Sequence, residues 1–238
     1  MYWYFRNPLF RKTQRAIGIA ADFHVHVMYS RDSLLKPRKL VKVASRKRIE
    51  VLAVTNHNTM RGAFETIREA KESRSEIIIV PGVEISTNKG HVIGIFIQEN
   101  ISTKNYIDVV DQIKGQDGLV MIPHPLKKTQ KFSKNEIIKA DLLEVVNGRS
   151  NYKENELALG LGKRMNKPLV SGSDSHFSFE LGRVMKLLPW KPNDLDELRK
   201  MLLNNYIIRI KGKEYFLTPR FAHALSFLVE TCRRIADL

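Results

Sequence analysis

The sequence predicts an α/β protein folded as a closed, distorted barrel, and three observations carry that expectation. From Ile19 onward, short apolar runs alternate with longer amphipathic ones, the pattern of repeated strand and helix units around a largely parallel sheet. The chain has 238 residues and a 43% hydrophobic content, enough to bury a substantial core in one compact unit. Roughly seven such units can be traced, which favours closure over an open sheet.

Taken in order, the first strand, Ile19 to Phe23, runs into ADFHVHVMYSRDS. Residues i and i+2 of an extended strand point the same way, so His24 and His26 can offer two imidazoles to one metal, with Asp32 following in the loop as an oxygen donor. An HxH alone is also what two surface histidines look like. A helix over 37–48 starts with Pro37 in its first turn. The strand Val51 to Thr55 then leads to AVTNHNT and His57, ahead of a helix over 61–74.

Two strands follow, Ile77 to Val80 and His91 to Ile97, and with them come Glu84 in PGVEIS and His91 in GHVIG. A carboxylate after a buried strand is costly unless it is paired or metal-bound; an ion pair with a lysine would satisfy Glu84 equally well. After a helix over 103–115, the strand Gly118 to Ile122 presents His124 in IPHP, where a rigid-turn histidine is the alternative to a ligand. Ser133 and Glu136 form a capping box for a helix over 133–140.

The strand Leu142 to Val146 contains Glu144, which could orient a histidine rather than bind metal. Arg149 in NGRS precedes a helix over 151–165. The strand Pro168 to Ser171 opens into GSDSH, offering Asp174 and His176 at i and i+2, with Arg183 beyond. Arg149 and Arg183 are candidates for gripping phosphate oxygens, although both could face solvent. A helix over 192–204, with Pro192 in its first turn, and a strand Ile207 to Ile210 complete the barrel units.

After Pro219, the residues Phe221, Leu225, Leu228, Cys232 and Ile235 mark one apolar face of a C-terminal helix over 219–238, expected to dock on the barrel (core 19–210). No internal repeat or Gly/Ser-rich linker interrupts the chain, so residues 1–238 are read as a single domain.

Composition limits the chemistry. One cysteine, Cys232, excludes an intramolecular disulfide and a cysteine zinc cage, so metal binding would fall to histidines and carboxylates. The opening MYWYFRNPLFRKTQR lacks the apolar stretch of a secretory signal, and no run approaches a membrane span; a soluble cytoplasmic protein without a membrane partner is expected. The formal charge of +15 would attract polyanions, nucleic acid among them. Its lysines and arginines are spread along the chain, from Arg11, Lys12 and Arg15 to the stretch Lys127 to Lys134, as on a solvated basic face.

Six of the seven histidines fall at or beside strand ends, and the carboxyl ends of parallel barrel strands meet on one face. His223, in the C-terminal helix, is set aside. In order and spacing, HVH, TNHNT, PGVEIS with GHVIG, IPHP and GSDSH resemble the PHP (polymerase and histidinol phosphatase) family, over about Asp22 to Arg183.

The resemblance implies a distorted (β/α)7 TIM-like barrel and a metal-dependent phosphoesterase, a hydrolase working through metal-activated water on a phosphomonoester or nucleotide. A nuclease acting on RNA or single-stranded DNA, or a catalytically weakened metal- or nucleic-acid-binding module, are the alternatives. The implied ligands are His24, His26, Asp32, His57, Glu84, His91, His124, Asp174 and His176, holding two or three divalent ions of manganese, zinc or iron. Glu84 would bridge two of them, and Glu84, Asp174 and His176 would stand nearest the chemistry. Where the family commonly reads TDH, this chain has Asn56, and Asn58 stands where a second Asp is frequent. An amide keeps an acceptor but loses charge, which weakens the expected third site.

Overall fold

The computed structural model describes residues 18–204, 209–212 and 218–236. The aromatic and basic opening segment, with Arg11, Lys12 and Arg15, lies outside the described residues, as do Ile207 at the start of the last expected strand and the final two residues of the expected C-terminal helix.

The elements alternate as the periodicity predicts: β1 (Ile19–Val25), α1 (Pro37–Lys47), β2 (Ile49–Val54), α2 (Arg61–Glu72), β3 (Ile78–Thr87), β4 (Gly90–Ile95), α3 (Tyr106–Gly115), β5 (Leu119–Ile122), α4 (Lys134–Lys139), β6 (Leu142–Asn147), α5 (Tyr152–Arg164) and β7 (Leu169–Gly172). Then come β8 (Val184–Leu188), α6 (Leu195–Leu203), β9 (Arg209–Gly212) and α7 (Thr218–Ala236). Helix ends follow local chemistry. Pro37 opens α1, the Ser133/Glu136 box opens α4, and Asn151 with Glu154 forms a second box at α5. The sixth helix starts later than expected, because Asp194 caps it by accepting from Glu197 N, leaving Pro192 ahead of the helix.

The strand order is β7-β6-β5-β4-β3-β2-β1-β8-β9. β1 to β7 curl into a barrel whose seam is joined by a parallel bridge between Val25 and Ser175, with His26 N donating to Ser175 O at 2.8 Å. The distortion lies at β4, which is antiparallel to both β3 and β5. β8, absent from the sequence expectation, pairs antiparallel with β1 and extends the sheet past the seam.

One apolar cluster draws Phe23, Val51, Val80, Ile95, Met121 and Val170 from around the barrel together with Leu198, Met201 and Leu202 of α6, so α6 closes the amino end of the strands. Two further clusters seat α1 and α2 against β1 and β2, and α3 to α5 against β3 to β6. The carboxyl end is left to polar side chains.

α7 docks differently from the expectation. Phe221, Leu228, Cys232 and Ile235 are exposed, whereas Ala222, Ser226 and Val229 are buried. Leu225 is half-buried, and the helix is rotated so that Ala222, Ser226 and Val229, not most of the expected apolar stripe, face the barrel.

Candidate metal centre

At the carboxyl end the strand geometry gathers all nine residues singled out as ligands. His24 and His26 leave β1 side by side, with their Nε2 atoms 3.0 Å apart. Glu84, on β3, lies between five imidazoles. Its Oε2 is 3.3 Å from His24, 3.2 Å from His26 and 3.2 Å from His57, and its Oε1 is 3.0 Å from His91 and 3.2 Å from His124. His91 stands at the start of its strand, yet reaches the same face because β4 runs antiparallel to its neighbours. Asp174 Oδ1 is 3.5 Å from both His24 and His26. On the outer side, Asp32 Oδ2 lies 2.8 Å from His176 Nε2 and 3.7 Å from His57 Nε2.

Backbone and supporting contacts hold these groups in place. His124 and Asp174 sit at φ of 29° and 53°, a left-handed region disfavoured for side-chain-bearing residues and concentrated at functional sites. Gly172 allows the packing of β7 on β1, since a side chain there would come within 2.3 Å of His24 Cβ. Glu144 stands behind the cluster as a support: Oε1 is 3.1 Å from His24 Nδ1, and Oε2 accepts from His124 N and from Asn147 Nδ2. Gln130, which the motifs did not flag, orients two ligands, accepting from His91 N and lying 2.8 Å from His124 Nδ1.

The two asparagines bond to the loops around the cluster. Buried Asn56 donates to Val27 O and Ser30 Oγ, pinning the turn after β1, and Gly62 leaves the room its amide needs. Asn58 accepts from Ser86 N and joins the β2 loop to β3. Their amides therefore act as braces for the loops.

Arg149 and Arg183 turn toward Glu180. Arg149 is buried and binds Glu180 through Nε and Nη2, both at 2.9 Å, while Arg183 Nη1 is 3.9 Å from the same carboxylate. Glu180 also accepts from His176 N and Phe177 N, so this group shapes the loop after β7. Among the described residues, Lys127 is a cation that touches the cluster, its Nζ 3.1 Å from Asp174 Oδ2. In the sequence it stands three residues after His124, at the start of the basic stretch Lys127 to Lys134.

Charges are strongly coupled. Burial would lower the His24 pKa, but Asp174, Glu144 and Glu84 outweigh it and hold it well above its usual value. Burial and the neighbouring His176 and His57 push His26 well down, and burial, aided by Lys127, lowers His124. For Glu84 and Asp174, burial acts to raise the pKa, yet surrounding histidines keep both well below the carboxylate range, with Lys127 assisting at Asp174.

Three ligand sets have donor atoms within 4.8 Å of one another: His26, His57 and His176; His24, His26 and Asp174; and His24, Glu84 and His124. Asp32 Oδ1 is buried without a hydrogen-bond partner among the described residues, while Oδ2 of the same carboxylate lies 2.8 Å from His176 Nε2. Such a donor set of imidazole and carboxylate fits divalent transition metals.

Fold and site together define a class, the distorted α/β barrels that carry a histidine and carboxylate cluster at the carboxyl ends of their strands. The chain belongs to the PHP family: the PHP domain description matches residues 22–171, and a PHP-associated description matches residues 153–205. It is 39% identical over 140 residues to the uncharacterized protein MJ1587 of Methanocaldococcus jannaschii, an alignment covering 53% of this chain and 81% of that protein.

A two-domain protein from Bacteroides vulgatus containing a predicted PHP-like metal-dependent phosphoesterase shares the fold. Its TM-score is 0.65 at 23% identity, over 82% of this chain and 68% of that one. The 5'-3' exoribonuclease Rnm of Salmonella typhimurium is 36% identical over 82 residues, 33% of this chain and 28% of that enzyme. Among the described residues no helix is long and apolar enough to cross a membrane.

Proposed function

We propose that this chain is a hydrolase of phosphate esters that binds two or three divalent cations at the carboxyl end of its barrel, acting on a phosphomonoester or nucleotide. The observation that carries the proposal is the packing of nine ligand-type side chains around Glu84 and Asp174, with Asp32 Oδ1 buried and without a hydrogen-bond donor among the described residues. His24, His26 and Asp174 would hold one cation, Glu84, His91 and His124 a second, and His57, His176 and Asp32 a third. Bound divalent cations supply Lewis acidity, which acidifies water and stabilises charge developing on phosphate oxygens.

The chain's own residues then position and neutralise. Glu144, Gln130 and Ser30 fix the ring orientations of His24, His124 and His26. Lys127 is placed to exchange its contact with Asp174 for a substrate phosphate oxygen, a role that the Glu180-bound Arg149 is not free to take. Manganese, zinc and iron all suit the donor set.

The test is elemental analysis of the purified protein alongside turnover of a phosphomonoester and nucleotide panel. Two or three cations per chain with hydrolysis lost on chelation is the expected outcome, and a metal-free, inert protein would sink the reading. The partial similarity to Rnm and the charge of +15 favour a second reading, a nuclease on RNA. Cleavage of single-stranded RNA that weakens steeply with salt, exceeding turnover of mononucleotides, would select it.

A further inference from the structure

Beside the buried Ala222 and Val229, α7 makes polar contacts with the barrel, most of which converge on one turn. Arg233 Nη1 donates to three carbonyl oxygens, of Met28 at 3.1 Å, Ser30 at 2.9 Å and Arg31 at 3.2 Å. Ser226 Oγ donates to the carbonyl of Asp32 at 3.1 Å and accepts from Arg149 Nη1 at 3.1 Å. His223 Nε2 lies 3.1 Å from Arg149 O. Through Arg149 and Glu180 the same network reaches His176 N, so α7 is linked to both loops whose side chains meet at the Asp32 to His176 contact of 2.8 Å.

Leu228 and Ile235 are exposed, and Phe221, also exposed, meets the barrel only through Phe179, ring centroids 6.4 Å apart, among the contacts of the described residues. A helix retained chiefly to bury apolar surface would turn that stripe inward. Here the inward face carries the hydroxyl and the guanidinium that hold the backbone of residues 28–32, a segment with no strand or helix of its own.

We infer that α7 is a positioning element for the outer part of the site: Arg233 and Ser226 fix the 28–32 turn so that the Asp32 carboxylate stays opposite His57 and His176. The affinity for the cation held there therefore depends on a helix outside the barrel. This rests on the proposed metal site, but its first readout needs no metal.

The experiment compares the full chain with Arg233→Ala, Arg233→Lys and Ser226→Ala. In the metal-free proteins, amide hydrogen exchange across residues 27–34 should quicken in both alanine variants, with β1 and β2 unchanged. On titration with Mn2+, the alanine variants should lose about tenfold in affinity for one cation while the others bind as in the unaltered protein. Arg233→Lys, which keeps a donor near the carbonyls, should recover part of that loss.

Unchanged exchange in the turn would overturn the inference, and so would faster exchange with every cation bound as before, since α7 would then only pack. Equal weakening of all cations would point to general loosening of the barrel and would also overturn it. Failure of the unaltered protein to bind Mn2+ would overturn the metal site itself, an outcome told apart by the exchange data.

Discussion

The two halves of the candidate site are built on different supports. Around Glu84, the donors sit on strands or within two residues of a strand end: His24 on β1, His26 just beyond it, Glu84 on β3, His91 on β4 and His124 after β5. Glu84 and His24 are almost wholly buried, and neighbouring strands fix their positions. Around Asp32, the donors stand on loops. The side chains of Asp32 and His57 are 18% and 27% exposed, and their backbone depends on Asn56, Ser30 and α7 for support. The first half is preorganised by the sheet, whereas the second needs help from outside it, so the two should respond unequally to the same kind of change.

The largest effect is expected at Glu84→Ala. One carboxylate serves five histidines, so its loss should remove more than one cation and lower kcat/KM on the order of 10³-fold or more. Metal content and phosphoesterase kinetics of the variant provide the check. Retention of every cation would show that the strand-built half does not hinge on Glu84.

A pH effect should come next and belongs to the loop half. Burial would lower the His57 pKa, but Glu84 and Asp32 outweigh it and raise it to about 9 in the metal-free protein. The folded pKa then exceeds the unfolded value of 6.5, so this contribution is fully present below pH 6.5 and is lost as pH rises through 9. Integrated over that window it amounts to at most about 3 kcal/mol. Urea midpoints of chelated protein should fall between pH 6.5 and 9, and His57→Gln should flatten the fall. With saturating metal the trend should reverse, because a cation requires the neutral imidazole.

Asp32→Asn should be milder. It removes one charge from the loop half, so a single cation should weaken about 10- to 100-fold while the Glu84 side keeps its own. Titration with Mn2+ reads this directly. Equal loss at both halves would break the comparison, since the two would then form one cooperative site.

Much of the strand-built half was legible because its physics is local. Alternation along β1 puts His24 and His26 together, and the apolar runs before His124 and Asp174 mark where strands end, whereas β3 runs past its expected end at Val80 through Glu84 to Thr87. The loop half was legible only as residue types. Nothing in the sequence shows that Ser226 and Arg233, about two hundred residues away, hold the turn of Asp32, because such contacts follow from how α7 is rotated. The apolar stripe Phe221, Leu228 and Ile235 argued for the opposite face, and helical periodicity records which face is apolar, not which partner the fold supplies. β8 was missed because Val184 to Leu188 is too short and mixed to stand out, and the pairing of Arg149 with Glu180, 31 residues on, has no local signal.

The smallest expected effect is at Asn56, where the sequence departs from the family's common TDH. If the side chain served the metals, Asn56→Asp would strengthen the loop half. Its amide instead donates to Val27 O at 2.7 Å and Ser30 Oγ at 2.9 Å, and its oxygen is 3.4 Å from Val27 N. An introduced carboxylate would keep the contact with Val27 N and could accept from the Ser30 hydroxyl, but it would lose the donor to Val27 O and set two oxygens against each other. The variant should therefore lose about 1 kcal/mol of stability with its cation count unchanged and its kcat within about twofold. A gain of one cation per chain, or a clear rise in turnover, would mean that the Asn56 position faces the metals after all, and that the loop half has been weakened by its amide.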